Sequence, residues 1–339
     1  KMTGDKFASH SNFLERCFET LATGTWICTF VLGGSAGLLV SIYLIIYTQY
    51  RWIIGLYLFW IWVIDKDTPE IGGRPFQCIK SWSWWKYKCN YYPLRYEKLP
   101  GVKLDLKKNY LMCCFPHGVL CNGFLNAFVV ADTKYFKHQS HVVTLSLQFK
   151  LPFIRDLLLG MGGISSSANA INYVLSRPSG GHLCALVVGG ASEALYSRPG
   201  CYILNLKNRK GFVKLALQNG APLVPVFSFG ETDLYDQLEG PRIRSFQKFV
   251  QKWTRFAPII PIGRFGIIPY RRVVTTVGNF SKSIFFPVGF PLEIPKIINP
   301  KKEEIDEYHA KFVEKLTELF EEQKYNYLEK PEDKKLIIL

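Results

Sequence analysis

Residues 109–128 read NYLMCCFPHGVLCNGFLNAF and join a strand-like run to a helical pattern. NYLMCCF is a short, largely apolar run of the length of a buried strand, and Pro116 ends its hydrogen-bond ladder. VLCNGFLNAF, after Gly118, has helical spacing. A strand followed by a helix is the repeating unit of an α/β sheet. His117 lies at the turn between them, at the carboxyl end of the strand.

Short apolar runs alternate with helical patterns along the following sequence, which predicts an α/β fold with a mixed sheet and flanking helices. The strand runs are HVVTLSL, HLCALVV, CYILNL and PLVPVFSF. We expect catalytic loops at the carboxyl ends of the parallel strands. A stripe at helical spacing near the C-terminus should pack a charged helix on this domain; it consists of Ile305, Tyr308, Phe312, Leu316, Leu319 and Phe320.

The N-terminal region is apolar enough to enter a membrane. Residues 24–47 are nearly continuous apolar sequence, and as a helix they would be about 36 Å long, enough to cross a bilayer. TQYR interrupts them, and residues 52–64 form a second uncharged run that is too short to span upright. We predict a membrane hairpin; a single full crossing, a signal peptide and a buried helix are the alternatives.

These patterns divide the chain into an N-terminal segment (1–23), the membrane hairpin (24–64), an interfacial aromatic and basic connector (65–104), a main domain (105–299) and a C-terminal amphipathic helix with its tail (300–339). The connector contains SWSWWKYKCNYYPLRY, residues 81–96. Its aromatic rings are expected to form a belt at the lipid headgroups, and packing of the rings in the core is the alternative.

The formal net charge of +15 indicates an anionic partner: nucleic acid, acidic headgroups or a phosphorylated substrate. The sequence contains no nucleic-acid-binding module, and a membrane hairpin argues against that partner, so none is expected. The nine cysteines include no C-x-x-C pair, which indicates reduced thiols. The six histidines are dispersed, and we predict no metal site.

His117 and Glu193 are the candidate acid–base residues. A neutral imidazole at a strand end can take a proton from a hydroxyl, although His117 could equally cap the turn. VVGGASEAL places Glu193 after another strand, where it could orient the imidazole or supply a charge to the first turn of a helix. Gly189 and Gly190 permit an open turn whose amides could hold a phosphate or an oxyanion.

Two other features have alternative interpretations. Ser192, in GASEA, is a near match to the nucleophile elbow of serine lipases and esterases, but the only later histidine is His309, on the charged C-terminal helix. Basic residues that open a helix can bind phosphates, or can form a solvated face. The basic candidates are Lys207, Arg209 and Lys210, with Arg264, Arg271 and Arg272 extending the anion surface.

Five segments in order, TPEIGGRPF, FPHG, VVGGASEAL, LKNRKGFVKLALQNGAPLVPVFSFGETDLYDQ and GIIPYRRVVTTVG, resemble the diacylglycerol O-acyltransferase type 2 family, which includes monoacylglycerol and wax-alcohol acyltransferases. The resemblance implies a glycerolipid-acyltransferase-like fold and an enzyme that transfers fatty acyl from acyl-CoA to a lipid hydroxyl. It also implies an endoplasmic-reticulum membrane and lipid-droplet location with a cytosol-facing site. Residues 105–299 would then be the acyltransferase domain.

In that family the PHG motif carries the catalytic histidine, which is His117 here, and GG-x-x-E corresponds to Gly189, Gly190 and Glu193. We expect amides near Gly118 or the two other glycines to stabilise the oxyanion. Acyl-CoA is a co-substrate, and no cofactor is expected. Diacylglycerol is the first acceptor to expect, with monoacylglycerol or a long-chain alcohol as alternatives. A non-catalytic neutral-lipid-binding scaffold and a homo-oligomer are also left open.

The sequence departs from the family pattern in two places. Phe115 stands where the motif often has another histidine, and we expect its ring to pack instead. NFSKSIFFP (residues 279–287) looks like an insertion that could remodel a lipid-facing loop. Its Asn279 begins a glycosylation sequon that we expect to remain unmodified on the cytosolic side.

Overall fold

The computed structural model describes residues 12–92, 94–98, 104–130, 137–254, 258–272, 274–278 and 291–339. The predicted insertion at residues 279–287 lies outside the described residues. The helices are α1 (Phe13–Tyr47), α2 (Arg51–Phe59), α3 (Gln77–Lys80), α4 (Ser83–Tyr91), α5 (Asn122–Leu125), α6 (Ile154–Gly160), α7 (Ala168–Leu175), α8 (Gly190–Ala194), α9 (Gly211–Asn219), α10 (Pro241–Thr254) and α11 (Lys302–Tyr327).

The strands confirm a mixed α/β architecture. They are β1 (Leu94–Lys98), β2 (Tyr110–Phe115), β3 (Gln139–Thr144), β4 (Gly163–Ser165), β5 (His182–Val187), β6 (Tyr202–Leu204), β7 (Leu223–Phe229), β8 (Asp236–Gln237), β9 (Pro261–Ile262), β10 (Val274–Gly278) and β11 (Leu336–Ile338). Seven of them form one sheet in the order β1-β10-β7-β2-β5-β3-β4. Among the strand pairs that the structure describes in this sheet, β10–β7 is antiparallel and the others are parallel.

Strand β2 is the fourth of the seven strands, and helices cover both faces of the sheet there. All six of its residues are buried, which explains the unbroken apolar run in the sequence. Alternate side chains point to opposite faces. Leu111, Cys113 and Phe115 join the core that contains α11, whereas Met112 and Cys114 join the core on the side of α1. The apolar N-terminal helix and the C-terminal helix therefore pack on opposite faces of one sheet.

Helix α1 is longer than the sequence pattern predicts, beginning at Phe13 rather than near residue 24. A capping box explains this start: the side chain of Asn12 accepts from the N–H of Glu15, and the Glu15 carboxylate accepts from the N–H of Asn12, both at 3.2 Å. Among the described residues, α1 is the one helix long and apolar enough to cross a membrane. Helix α2 follows after a turn and continues as a π-helical turn, Trp60–Ile64.

The aromatic connector packs inward more than predicted. Trp85, Tyr91 and Tyr92 are buried, so the expected belt of rings at the headgroups is wrong for these three. The Trp85 ring meets the ring of Trp26 on α1 edge-on, with their centroids 5.1 Å apart. Trp82 is exposed. The connector therefore packs between α1 and the sheet.

Helix α11 confirms the predicted C-terminal stripe. Phe312, Leu316, Leu319 and Phe320 are fully buried against the sheet, while the charged residues between them face outward. The ring of Phe115 lies in the same core, 6.2 Å from that of Phe312 between centroids. An aromatic ring at position 115 therefore serves packing, as expected.

Candidate active site

Three strand ends meet at one edge of the sheet. Strand β2 pairs in parallel with β5 on one side and β7 on the other, so their carboxyl ends lie side by side. His117 follows β2, Glu193 lies in α8 just after β5, and Glu231 follows β7. The topology therefore brings one imidazole and two carboxyl groups to a common edge. The sequence predicts two of these three groups, those of His117 and Glu193.

The His117 ring has a defined orientation. Its Nδ1 is 3.0 Å from the carbonyl oxygen of Gly118. Because a carbonyl can only accept, Nδ1 donates the hydrogen, and Nε2 carries the lone pair. Burial lowers the pKa of His117 below its usual value, although the hydrogen bond to Gly118 opposes this shift. The imidazole is therefore neutral at pH 7, with Nε2 able to accept a proton.

Glu193 holds the backbone of His117 and not its ring. One carboxylate oxygen accepts from the His117 N–H at 2.7 Å, and the other accepts from the Asn205 N–H at 2.9 Å. The hypothesis that Glu193 orients the imidazole is corrected here: the Gly118 carbonyl does so. Burial raises the pKa of Glu193 to about 7, although the two N–H bonds oppose this shift.

Glu231 is a second buried carboxyl group, and the sequence interpretation did not single it out. Its two oxygens accept from the N–H groups of Asn122 and Gly123, both at 2.8 Å. These two amides open α5, and both already donate to Glu231. Burial raises the pKa of Glu231 to about 7 as well. A signal was present, because FSFGE places a carboxylate after a strand as VVGGASE does.

Two of the glycines at the site lie too close to neighbouring side chains to carry a Cβ atom. Gly118 has a positive φ of 61°, and a Cβ there would lie 2.6 Å from Cγ of Glu231. A Cβ on Gly189 would lie 1.9 Å from a carboxylate oxygen of Glu193. Gly190 also has a positive φ, 59°, but a Cβ there would meet open space. The absence of a side chain at Gly118 and at Gly189 thus leaves room for the two carboxyl groups.

A buried lysine connects the site to the apolar helix. Lys88, on α4, donates to the side-chain oxygen of Asn126 at 3.0 Å, in the π-helical turn that continues α5. Its ammonium lies 5.0 Å from the ring centre of Trp26 on α1. Burial lowers the pKa of Lys88 to about 8. The neighbouring Tyr92 hydroxyl donates to the side chain of Asn122 at 2.7 Å. Helix α4 therefore joins α1 to the segment that follows His117.

Ser192 is surrounded by polar partners that do not include a histidine. Its hydroxyl donates to the Gly189 carbonyl at 3.1 Å and accepts from the side chains of Asn205 and Arg209, both at 2.7 Å. His309 is buried and its Nε2 lies 3.0 Å from the Leu206 carbonyl. Among the described residues this serine has no base, which removes the structural basis for a serine lipase or esterase.

The three basic candidates differ in their surroundings. Arg209 is exposed and reaches Ser192, next to Glu193. Lys207 is exposed. Lys210 instead forms an ion pair with Asp306 on α11 at 2.6 Å. Of the three, Arg209 is the cation that the structure brings to the candidate site.

A neutral imidazole and two buried carboxyl groups at one edge of the sheet define an α/β protein with groups suited to proton transfer, and its long apolar helix is largely exposed. A family model described as "Diacylglycerol acyltransferase" matches residues 43–339. The chain belongs to this family, which confirms the resemblance seen in its motifs.

Relatives with three different enzyme names match almost the whole chain. Acyl-CoA wax alcohol acyltransferase 2 of Mus musculus is 34% identical over 93% of this chain and 94% of its own length. Diacylglycerol O-acyltransferase 2 of Homo sapiens is 35% identical over 93% and 81%. 2-acylglycerol O-acyltransferase 1 of Bos taurus is 37% identical over 95% and 96%. No solved structure matches the chain.

Proposed function

We propose that this protein transfers a fatty acyl group from acyl-CoA to the hydroxyl of a neutral lipid, with His117 as the general base. Membership of the family supports acyl-CoA-dependent O-acyltransferase activity on a neutral-lipid acceptor. The observation that carries the role of His117 is its ring orientation: Nδ1 donates to the Gly118 carbonyl, which leaves Nε2 to act as the base.

The proposed reaction is a single transfer of the acyl group from sulfur to oxygen. Nε2 of His117 takes the proton of the acceptor hydroxyl while the oxygen attacks the thioester carbonyl carbon. The new C–O bond forms, the C–S bond breaks, and the coenzyme A thiolate recovers the proton from the imidazolium. Glu193 keeps the backbone of His117 in place, and Glu231 keeps the start of α5 in place. Amides near Gly118, Gly189 or Gly190 are proposed to stabilise the oxyanion, and no cofactor is required.

Diacylglycerol, giving triacylglycerol, is the acceptor we propose first. The three relatives named above differ in the acceptor in their names and are similarly identical to this chain, so monoacylglycerol and long-chain alcohols are the alternatives. Arg209 is proposed to bind a phosphate of acyl-CoA, with Lys207 nearby in the sequence and Lys210 restrained by its ion pair.

Residues 24–64 are proposed to form a membrane hairpin that anchors the protein and admits its neutral-lipid substrate. The long apolar helix and the exposed side chains of Leu39, Trp52 and Leu56 support this assignment. Residues 65–104 would connect it to a glycerolipid-acyltransferase-like domain, residues 105–299, followed by the C-terminal helix and tail. The proposed location is the endoplasmic-reticulum membrane and lipid droplets, with the active site facing the cytosol.

The test is a panel of acceptors. Membranes that contain the protein receive labelled oleoyl-CoA with diacylglycerol, monoacylglycerol or a fatty alcohol, and labelled lipids and released coenzyme A are measured. We expect one acceptor to give an ester and an equal amount of coenzyme A. Bound neutral lipid without coenzyme A release would instead favour the non-catalytic scaffold. Release that needs only water would favour a hydrolase.

A further inference from the structure

Helix α10 exposes an aromatic face. Phe246, Phe249 and Trp253 are 61%, 64% and 74% exposed, and their spacing puts them on one side of the helix. Gln247, in contrast, is only 3% exposed and donates to the Pro258 carbonyl at 3.2 Å. The helix buries a polar side chain and presents its large rings to the outside, the reverse of a helix packed on a core.

The charged residues of this segment all have one sign. Residues 240–272 contain no Asp or Glu, although the chain has 27 acidic residues in all. Lys248 and Lys252 on α10 are exposed beside the rings. Aromatic residues on one face with cations around them are typical of a helix that lies in the headgroup region of an anionic membrane. The basic residues of this segment are Arg242, Arg244, Lys248, Lys252, Arg255, Arg264, Arg271 and Arg272.

The segment that follows α10 contacts the apolar helix α1. Arg271 pairs with the buried Glu19 of α1 at 2.6 Å, and Ile268 approaches Gly24, where a Cβ would be 3.7 Å from its side chain. Just before these two contacts in the chain, a tight turn leaves Phe265 82% exposed. The basic aromatic segment is therefore continuous with the part of the fold already proposed to enter the membrane.

Helix α10 is also tied to the candidate active site. Arg244 donates to the carbonyl of Leu195 at 2.5 Å, directly after the helix that carries Glu193. Gln237, just before α10, donates to the carbonyls of Ala194 and Ser197, each at 2.7 Å. A surface that holds α10 therefore also holds the segment that bears Glu193.

We propose that α10 is an interfacial helix, whose aromatic face enters the headgroup region of an anionic phospholipid membrane while Lys248 and Lys252 bind lipid phosphates. It thereby places the Glu193 side of the site at the bilayer. This inference rests on the proposed function in one respect, that the acceptor is a membrane lipid. It adds a contact with lipid, on the acyltransferase domain, that is separate from the hairpin.

A site-specific photocrosslinker tests the contact. The full-length protein carries p-benzoylphenylalanine in place of Phe249, or in place of Tyr325 as the control, a 59% exposed ring on α11. Each protein is placed in nanodiscs of phosphatidylcholine with or without phosphatidylserine. We expect phospholipid adducts several-fold more abundant at position 249 than at position 325, and increased by phosphatidylserine. Equal yields at both positions, or adducts at 249 to a second copy of the chain, would overturn the proposal.

A kinetic test uses the combined variant Phe246→Ser, Phe249→Ser and Trp253→Ser. We expect a several-fold higher KM for the acceptor lipid in a bilayer, an unchanged KM for oleoyl-CoA, and recovery when the three residues are leucines. Unchanged kinetics with the acceptor would contradict the inference. A wild type that transfers acyl groups but gives no lipid adduct at position 249 would sink only this inference; a wild type without transfer would sink the proposed function.

Discussion

The carboxylate of Glu193 lies 2.7 Å from the backbone nitrogen of His117 and holds the chain that carries the imidazole. The ring itself is oriented by the carbonyl of Gly118. Position and tautomer of the proposed base are therefore set by two different groups. This separation makes the role of Glu193 testable, because a residue that holds only the backbone should affect the rate without changing the titration of the ring.

Replacing Glu193 should therefore lower kcat without moving the pKa of the base. Glu193→Gln keeps one oxygen acceptor and should lose less activity than Glu193→Ala, which leaves two N–H groups unpaired at about 1–3 kcal/mol each. In a profile of kcat/KM against pH, activity should fall at low pH as His117 becomes protonated. Because burial lowers the pKa of His117, this fall should occur below the usual pKa of a histidine. This acidic limb should stay in place in Glu193→Gln. A clear shift would show that the carboxylate acts on the ring.

Gly118→Ala and Gly190→Ala form a matched pair. Both residues have a positive φ, so each alanine should cost about 1–2 kcal/mol in backbone strain. Only the alanine at position 118 would also collide with Glu231, at a further cost of about 1–3 kcal/mol. Thermal unfolding in detergent should show the larger loss for Gly118→Ala, together with loss of acyl transfer. Equal losses in both variants would mean that Glu231 does not press on this turn.

Glu231 should make stability depend on pH. Its pKa is raised from 4.5 to about 7, so between these values the folded protein binds more protons than the unfolded chain. Stability should therefore fall as the pH rises from about 4.5 to about 7. Glu231→Gln should reduce this slope, whereas Glu239→Gln, at an exposed glutamate paired with Arg198, should not. The measurement is the unfolding temperature across that range. An unchanged slope in Glu231→Gln would refute this account of its burial.

Arg209 and Lys210 should respond differently to charge reversal. Arg209→Glu should raise the KM for oleoyl-CoA more than the KM for the acceptor, because an exposed cation beside Ser192 would be lost. Lys210→Glu should chiefly weaken the contact with Asp306, and the double variant Lys210→Glu with Asp306→Lys should restore stability. Steady-state kinetics with each substrate varied in turn will measure the two KM values, and thermal unfolding will measure the stability of the Lys210 variants. An oleoyl-CoA KM unaffected by Arg209→Glu would remove Arg209 from the binding site.

The sequence predicts the parts of this structure that follow from local patterns. The apolar run before Pro116 predicts β2, and the stripe from Ile305 to Phe320 predicts α11, because burial imposes their periodicity. The sequence pattern understates the length of α1, because its first turns contain the charged residues Glu15, Arg16 and Glu19 and begin with a capping box at Asn12.

The sequence predicts two members of the candidate site, His117 and Glu193, but not their contacts. Strand order puts His117 and Glu193 at one sheet edge, yet whether a carboxylate meets the ring or the backbone is decided within a few ångströms by the turn at Gly118. The sequence pattern does not indicate Glu231, because the pairing of β7 with β2 is a property of the sheet topology and not of a local pattern. The burial of Lys88 depends on packing between three separate segments, and no periodicity in the sequence predicts that packing.

The proposed role of His117 is tested by the transfer rate of His117→Ala, measured with labelled oleoyl-CoA and the acceptor identified for the wild type. Oleoyl-CoA binding and the unfolding temperature are measured alongside. General-base assistance contributes about 100- to 10,000-fold, so we expect a loss of that size with binding and folding retained. A folded His117→Ala protein that forms product at the wild-type rate would contradict the central role of His117.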